Sequence, residues 1–301
     1  MRLPNPAGSS NRAALPEDID FWMKWIFALL LAFVIFGGAA LFSYEIFIRP
    51  ELVMRAERNA GANPGPTPDI SLPEFKAARK LKEEGKLTEA RSALTALIQR
   101  YPSGLHVGEA EDLLGDVNIE ILLSDYPAPE KEEYIVRGGD VLARIAGKFK
   151  TTSELIMRTN NLSNTRLQIG QKLLISHPDF SILIQRGAKR LYLLDHERFF
   201  KRYQLLEEKL PGKTSSKIAT RVGEIMAWKG GRRVGPGSPQ FLSSTRWIRL
   251  ATPGYVIYSQ PDDSHQILEV PPPAQGIGMA ATDVDELSSL VNTRTAVTVV
   301  P

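Results

Sequence analysis

Residues 134–175 read YIVRGGDVLARIAGKFKTTSELIMRTNNLSNTRLQIGQKLLI, and they decide the fold of the middle of the chain. A short strand runs into a Gly139-Asp140 turn, and apolar residues then recur at helical spacing from Leu142 to Phe149. Thr151–Ser153 can cap a second helix, which ends at two asparagines before a final strand. The stretch therefore predicts a compact βααβ unit.

The spacing of these residues resembles that of a LysM domain over residues 133–176. The features shared are the opening Tyr-x-Val-x-x-Gly-Asp, an Ile-Ala pair in the first helix and the closing Leu-x-x-Gly-Gln-x-Leu. The resemblance implies binding of N-acetylglucosamine chains, in peptidoglycan or chitin, along a shallow groove between the first turn and the loop before the last strand. Carried over by position, the groove residues are Gly139, Asp140, Val141, Leu142, Asn160, Leu162, Leu167, Gln168, Ile169 and Gly170.

The residue types at these positions suit an N-acetyl group. Backbone amides beside a glycine turn, a carboxylate or amide and a few apolar atoms match its N–H, C=O and methyl. An alternative stays open for each position. In that alternative, Leu142, Leu162 and Ile169 are core residues, and Asp140 shapes the turn without contacting a glycan.

Residues 180–301 carry a second resemblance. The segment from Phe180 alternates apolar and polar residues like a β-hairpin around Asp195–Arg198. This opening resembles the start of the YkuD-type L,D-transpeptidase catalytic domain, and residues 283–299 follow the spacing of that family's final helix and strand. The resemblance, in order and in length, implies a mainly-β fold.

The diagnostic motif of that family is damaged in this chain. It runs Ser-His-Gly-Cys-x-Arg, with the cysteine as acyl nucleophile and an upstream histidine as its base. The chain has no cysteine, and the matching residues 274–279 keep only the glycine. The altered positions are Tyr258, in place of the base, and Gln275, Ile277 and Met279. Isoleucine forms no thiolate, so we expect a pseudoenzyme without catalytic residues.

An active transpeptidase with an unrecognised nucleophile is the alternative function. Ser264 and His265 have the necessary atoms, but neighbours on a polar loop seldom face each other in the geometry that catalysis needs. The other histidines are isolated and show no metal-ligand spacing. The sequence therefore predicts neither a metal site nor a cofactor.

Residues 21–48 contain an uncharged apolar run from Trp25 to Tyr44. Twenty helical residues span about 30 Å, the thickness of the hydrocarbon core of a bilayer. We therefore expect a single transmembrane helix in contact with membrane lipid, rather than a cleaved signal peptide or a buried helix. Residues 1–20 are expected to form a short disordered cytoplasmic segment, and residues 49–73 a proline-rich linker.

Residues 74–126 have the apolar spacing of a helical hairpin, and this region resembles one tetratricopeptide unit. A single repeat cannot bury its own apolar face, so a small helical bundle is expected. Two roles stay open for it, as a spacer and as a docking surface for a protein partner.

The net charge of +3 and the absence of any nucleic-acid-binding motif argue against nucleic acid. Residues 186–249 nonetheless contain 15 Lys or Arg and 5 Asp or Glu, which favours anionic wall polymers. The predicted fold class is multidomain α+β with a transmembrane helix, a helical bundle, a βααβ module and a mainly-β domain. We expect a peptidoglycan-binding scaffold in the cytoplasmic membrane of a bacterium, with residues 49–301 facing the periplasm or cell wall.

Overall fold

The computed structural model describes residues 70–211, 217–235, 238, 240–260 and 270–301. These residues belong to one compact unit, Asp69–Pro301. The predicted N-terminal segment (1–20), the predicted membrane segment (21–48) and most of the predicted linker (49–73) lie outside the described residues.

The predicted fold class is corrected in one respect. Among the helices of the described residues, none is long and apolar enough to cross a membrane. The longest, Val107–Leu123, has 17 residues and includes charged side chains such as Glu109 and Asp112, whereas a membrane helix needs about 20 apolar residues.

The helical region is a three-helix bundle composed of α1 (Ser71–Glu83), α2 (Leu87–Arg100) and α3 (Val107–Leu123). Gly85 joins the first two helices with a φ of +73°, a value that glycine adopts without strain. The apolar faces of the three helices form one core, which includes Phe75, Leu94, Leu97, Leu114 and Ile121. The predicted hairpin is thus completed by a third packed helix.

The middle of the chain has the predicted βααβ order. Strand β1 (Lys131–Ile135) pairs antiparallel with β2 (Lys172–Ser176), and α4 (Leu142–Lys148) and α5 (Ser153–Thr159) lie between them in sequence. Thr152 caps α5, since its hydroxyl accepts a hydrogen bond of 2.9 Å from the Leu155 N–H.

In its described residues, the C-terminal region is a ten-stranded sheet with one α-helix. The strands run in the spatial order β5-β4-β3-β12-β7-β9-β10-β11-β6, with β8 beside β7. Their bounds are β3 Phe180–Gln185, β4 Arg190–Asp195, β5 Arg198–Gln204, β6 Glu207–Lys209, β7 Ile218–Lys229, β8 Arg232–Arg233, β9 Thr245–Leu250, β10 Val256–Gln260, β11 Gly276–Ala280 and β12 Ala296–Val300, and α6 is Ala281–Leu290. The main core of the unit lies between this sheet and α6, where Ile257, Ile277, Val284 and Leu287 are buried.

Polar contacts join the bundle to the edge of this sheet. The Arg202 guanidinium on β5 binds the Asp112 and Glu111 carboxylates and the Gly108 carbonyl on α3, at 2.5 to 2.8 Å. The Asn118 amide donates to the Phe200 carbonyl at 2.8 Å. Helix α3 therefore covers β5, the edge strand, and one face of the predicted docking surface is occupied by the chain itself.

A buried ion pair joins the βααβ module to the C-terminal sheet. The Arg246 side chain on β9 is fully buried, and its guanidinium binds both carboxylate oxygens of Glu154 on α5 at 3.0 and 3.2 Å. Next to it, the Arg158 guanidinium on α5 lies 2.7 Å from the Asp285 carboxylate on α6. These contacts fix the orientation of the module on the sheet.

Candidate functional site

The two loops predicted to form a groove meet in the structure. The Gly170 N–H donates to the Val136 carbonyl at 2.9 Å, and the Val136 N–H donates to the Gln171 carbonyl at 2.9 Å. Gly139 and Gly170 have φ values of +84° and +85°, so both turns use backbone that glycine adopts without strain. The backbone thus brings residues 139–142 and 167–170 to one end of the module.

Apolar side chains are exposed on both of the loops predicted to form the groove. Val141 is 51% exposed and Ile169 is 78% exposed, and Ile135 on β1, which the sequence prediction omitted, is 52% exposed. Gln168 is also exposed, whereas Leu162 and Leu167 are partly buried against the core of the module. Exposed aliphatic carbons beside backbone amides are the surface that an N-acetyl methyl group requires.

Two of the predicted groove residues have roles in the fold. Leu142 is buried in the core of the module. Asn160 holds β2 in place: its amide nitrogen donates to the Ile156 and Leu174 carbonyls at 2.8 Å, and its carbonyl oxygen accepts from the Leu174 N–H at 2.7 Å. The Asn160 side chain therefore makes three hydrogen bonds within the module.

Asp140 shapes the first turn. One carboxylate oxygen accepts hydrogen bonds of 2.8 Å from the Arg137 N–H and from the Tyr134 hydroxyl. These bonds lower the pKa of Asp140, and the Arg137 N–H is the larger cause. The Arg144 side chain, also absent from the sequence prediction, donates to the Gly139 carbonyl at 3.0 Å. The turn is therefore held by side chains that leave its outer surface accessible.

The residues predicted to match the transpeptidase motif lie on or next to β10 and β11, which are parallel. In their register, Ile257 is opposite Ile277, Tyr258 is opposite Gly278, and Ser259 is opposite Met279. Side chains alternate between the two faces of a sheet, and residues opposite each other share a face. Ile277 and Met279 therefore face the core beside α6, whereas Tyr258 lies on the other face with Gly276 and Gly278.

On that second face, Tyr258 and Gln260 converge on Glu207 of β6. The Tyr258 hydroxyl donates to the Glu207 carboxylate at 2.5 Å, and the Gln260 amide donates to the same oxygen at 2.8 Å. Burial and then this carboxylate raise the pKa of Tyr258 to about 12, while Lys209 and Tyr258 lower the pKa of Glu207. At neutral pH the phenol is therefore protonated and the carboxylate ionised.

Side chains of this cluster fill the space above the two glycines. A Cβ at Gly276 would lie 2.5 Å from the Val256 carbonyl oxygen and 3.0 Å from the Tyr258 ring, and one at Gly278 would lie 2.5 Å from the Gln260 amide nitrogen. Neither position accepts a side chain unless its neighbours move. The sequence prediction missed Glu207 and Gln260, because only the pairing of β6 with β11 brings Glu207 to this site.

The remaining predicted positions are not part of this cluster. Gln275 is exposed on the segment before β11. Ser264 and His265 lie outside the described residues. His106 stacks on Phe75 in the helical bundle. Over the described ranges, no group of three or more histidine, cysteine, aspartate or glutamate side chains is arranged to hold a metal ion.

Comparison with known proteins agrees with both resemblances. The LysM domain family model matches residues 134–176, so this module is a LysM domain. The Bacillus licheniformis protein named "Putative L,D-transpeptidase YkuD" is 27% identical over 176 residues, which are 56% of this chain and 98% of that protein. The chain thus combines a LysM domain with an L,D-transpeptidase-like region.

Two solved structures show a more distant likeness. An L,D-transpeptidase from Enterococcus faecium has 13% identity and a TM-score of 0.27, over 40% of this chain and 49% of its own. One from Mycobacterium smegmatis has 8% identity and a TM-score of 0.28, over 44% of this chain and 65% of its own. The chain covers less than two thirds of either structure, and a likeness at this level carries no conclusion about activity.

Proposed function

We propose that the protein is a non-catalytic peptidoglycan-binding protein of the bacterial cell envelope. In this proposal the LysM domain binds the glycan, and the transpeptidase-like domain is a scaffold without acyl-transfer activity. The observation that carries the loss of catalysis is the register of β10 and β11, which places Tyr258 and Ile277 on opposite faces of the sheet and leaves Tyr258 bound to Glu207 beside Gln260.

The chemistry of this cluster supports the loss of catalysis. An acyl nucleophile needs an ionised thiol, or a hydroxyl next to a base. The Tyr258 hydroxyl keeps its proton, because its pKa is about 12, and the ionised Glu207 is already bound to Tyr258 and Gln260. The motif position predicted for the nucleophile is Ile277, which is buried in the core, and its neighbours Gly276 and Gly278 have no side chain.

The exposed end of the LysM domain supports the glycan assignment. Val141 and Ile169 present aliphatic carbons to solvent on two loops that the backbone holds together. Peptidoglycan lies outside the cytoplasmic membrane, so we infer that the described part of the chain acts there. The basic composition of residues 186–249 also favours contact with anionic polymers of the cell wall.

Co-sedimentation of the full-length protein with purified peptidoglycan tests the binding proposal. We expect the protein to pellet, and we expect the double variant Val141→Ser and Ile169→Ser to remain largely in the supernatant. The matched control is Leu105→Ser, because Leu105 is 82% exposed in the helical region, away from the groove. Equal pelleting of all three proteins would contradict a LysM groove that binds glycan.

Incubation with a β-lactam tests the catalytic part independently. Intact-mass spectrometry of the wild-type protein is expected to show no covalent adduct. An adduct, mapped to Ser264 or any other residue, would replace the scaffold proposal with that of an active transpeptidase that uses an unrecognised nucleophile.

A further inference from the structure

The LysM domain is more basic than the rest of the chain. Residues 134–176 contain seven Lys or Arg and two Asp or Glu, a net charge of +5, whereas the whole chain has a net charge of +3. Both carboxylates are already engaged: Glu154 binds Arg246 of the C-terminal sheet, and Asp140 binds within its own turn. The surface of the domain therefore has an excess of positive charge.

Three of these cations form a row beside the LysM groove, and we call Arg137, Arg144 and Lys148 the basic strip. The Arg144 guanidinium donates to the Gly139 carbonyl at 3.0 Å, at the edge of the groove, and Arg137 comes directly before the same turn in sequence. Lys148 follows Arg144 by one turn of α4, and its ammonium lies 5.0 Å from the centre of the Tyr134 ring. The row thus leads away from the groove along α4.

Asp140 shows that the positive charges of the strip act at the groove. Its pKa is lowered first by the Arg137 N–H, then by the Tyr134 hydroxyl, and the positive charges of Arg137 and Arg144 add to the effect. Neither guanidinium forms an ion pair with this carboxylate in the described part of the chain. Both groups therefore remain available to a carboxylate of a ligand.

The cations of the strip differ from other cations of the same domain. Arg158 is paired with Asp285, and Lys172 is paired with Glu133. Among the described residues, no carboxylate forms an ion pair with any member of the basic strip, and all three of its side chains are exposed. Folding therefore leaves the charges of this row uncompensated, beside the groove.

Two members of the strip are already held in place. Arg144 is fixed by the Gly139 carbonyl, and the Lys148 ammonium lies 5.0 Å and 4.9 Å from the centres of the Tyr134 and Phe149 rings. Side chains that are ordered before binding lose less conformational entropy when a ligand arrives. The strip is therefore arranged to bind an anion at low entropic cost.

The chemistry of the strip distinguishes two kinds of N-acetylglucosamine polymer. A guanidinium binds a carboxylate through paired, charge-assisted hydrogen bonds, and an ammonium binds it as a point charge. Chitin is neutral and has only hydroxyl and amide groups to offer. Peptidoglycan has the same N-acetyl groups, but its glycan also bears peptides that contain carboxylates. Charge complementarity therefore favours peptidoglycan.

We propose that the basic strip binds carboxylates of peptides attached to the glycan, so that the LysM groove selects peptidoglycan over neutral chitin. The inference rests on the proposed function, because it refines the ligand of the same groove. In this arrangement the exposed aliphatic side chains of Val141 and Ile169 contact the sugar, and the strip contacts the acidic groups that leave it.

Calorimetric titration of the full-length protein with three soluble ligands tests the proposal. The ligands are chitotetraose, a peptidoglycan tetrasaccharide with its peptides attached, and the same tetrasaccharide with its carboxylates converted to amides. At low salt we expect the acidic ligand to bind about tenfold more tightly than the other two. This preference should shrink as salt is raised, because the cations of the strip are exposed to solvent.

The double variant Arg137→Gln and Lys148→Gln is expected to reduce the preference to roughly threefold or less, and to leave the affinity for chitotetraose unchanged. Arg144 is retained because its guanidinium also holds the Gly139 turn. The matched control is Lys76→Gln with Lys82→Gln, which removes the same charge from α1 of the helical bundle. The control should bind all three ligands as the wild type does, and thermal melts of both variants check their folding.

Three results would overturn the inference while leaving the proposed function intact. They are equal affinities for the acidic and amidated ligands, an equal loss of preference in the control, and complete displacement of the acidic ligand by a poly(glycerol phosphate), which would assign the strip to phosphate polymers. A double variant that loses chitotetraose as strongly as the acidic ligand would also overturn it. If none of the ligands binds and peptidoglycan does not pellet the protein, the proposed function itself fails.

Discussion

Tyr258 and Ile277 lie on neighbouring parallel strands, yet their side chains point to opposite faces of the sheet. Ile257, not Tyr258, is the residue opposite Ile277, and Ile257 and Ile277 are buried in the same core. The two positions at which the transpeptidase resemblance implies a base and a nucleophile therefore cannot meet. On β11, the residues that share the face of Tyr258 are Gly276 and Gly278.

The double variant Tyr258→His and Ile277→Cys is therefore expected to remain inactive. The new thiol would face the core, away from the imidazole, and would not become a reactive thiolate. Replacement of the buried isoleucine is also expected to lower the free energy of unfolding by about 1–3 kcal/mol. The measurements are β-lactam adduct formation by intact mass and thiol labelling in native and denaturing buffer.

Gly276→Cys, combined with Tyr258→His, is the matched comparison, because it places the thiol on the other face. We expect this protein to be less stable than wild type, since the Val256 carbonyl oxygen lies 2.5 Å from the new Cβ position. In the first double variant, rapid thiol labelling in native buffer or a β-lactam adduct at position 277 would show that the orientation described for Ile277 is wrong.

The pKa of Tyr258 predicts a loss of stability at high pH. The pKa is raised from an ordinary value of 10.0 to about 12 in the folded protein, so the fold favours the protonated phenol. This contribution is complete below about pH 10 and is lost as the pH rises from 10 to 12. Urea unfolding across this range should show a smaller decrease for Tyr258→Phe than for wild type.

Tyr203 provides the control for this titration. The Tyr203 hydroxyl donates to Glu286 at 2.8 Å, and burial raises the pKa of Tyr203 well above the ordinary value. Tyr203→Phe should therefore still show the loss of stability that the titration of Tyr258 causes. A Tyr258→Phe protein that loses stability as steeply as wild type between pH 10 and 12 would contradict the short bond to Glu207.

Removing only one member of the Arg246–Glu154 ion pair is expected to destabilise the fold strongly. Arg246→Ala leaves Glu154 almost buried without its main partner, and we expect a loss of about 3–5 kcal/mol in the free energy of unfolding. Replacing both residues by apolar ones of similar size, Arg246→Met with Glu154→Leu, should restore much of the loss. Urea unfolding of the single variants Arg246→Met and Glu154→Leu and of the double variant measures the coupling.

The exposed pair of Arg79 and Glu83 is the control, because such pairs contribute between 0 and about 1 kcal/mol. Limited proteolysis adds a second readout. If Arg246→Ala separates the LysM domain from the sheet, cleavage near residues 177–179 should increase. Unchanged stability of both single variants would contradict the buried pair as the joint between the two parts.

The LysM fold was predictable from the sequence because its determinants are local. Turn glycines, helix caps and apolar spacing all fall within 42 residues, and the match to the family model covers the same stretch. The cluster at Tyr258 was not predictable in this way. Glu207 is 51 residues from Tyr258 in sequence, and their contact depends on which strands become neighbours in the sheet.

A related limit applies to individual positions within a motif. A shift of one residue moves a strand side chain to the opposite face, so only the strand register shows that Ile277 faces the core while Tyr258 lies on the other face. Asn160 illustrates the same point in the LysM domain. Its spacing fits the family pattern, but only the structure shows that its side chain binds the backbone of residues 156 and 174.

Asn160 and Ile169 are therefore expected to respond differently to substitution, although the sequence predicted a glycan contact for both. Asn160→Ala removes three hydrogen bonds and leaves the Leu174 carbonyl and N–H without this partner, so the free energy of unfolding should fall by about 1–3 kcal/mol. Ile169→Ala changes a side chain that is 78% exposed, so stability should be unchanged while peptidoglycan binding weakens. Thermal melts and co-sedimentation on the same samples separate the two effects. A stable Asn160→Ala protein that no longer binds peptidoglycan would mean that this amide contacts the glycan directly, and that its bonds to residues 156 and 174 contribute little to the fold.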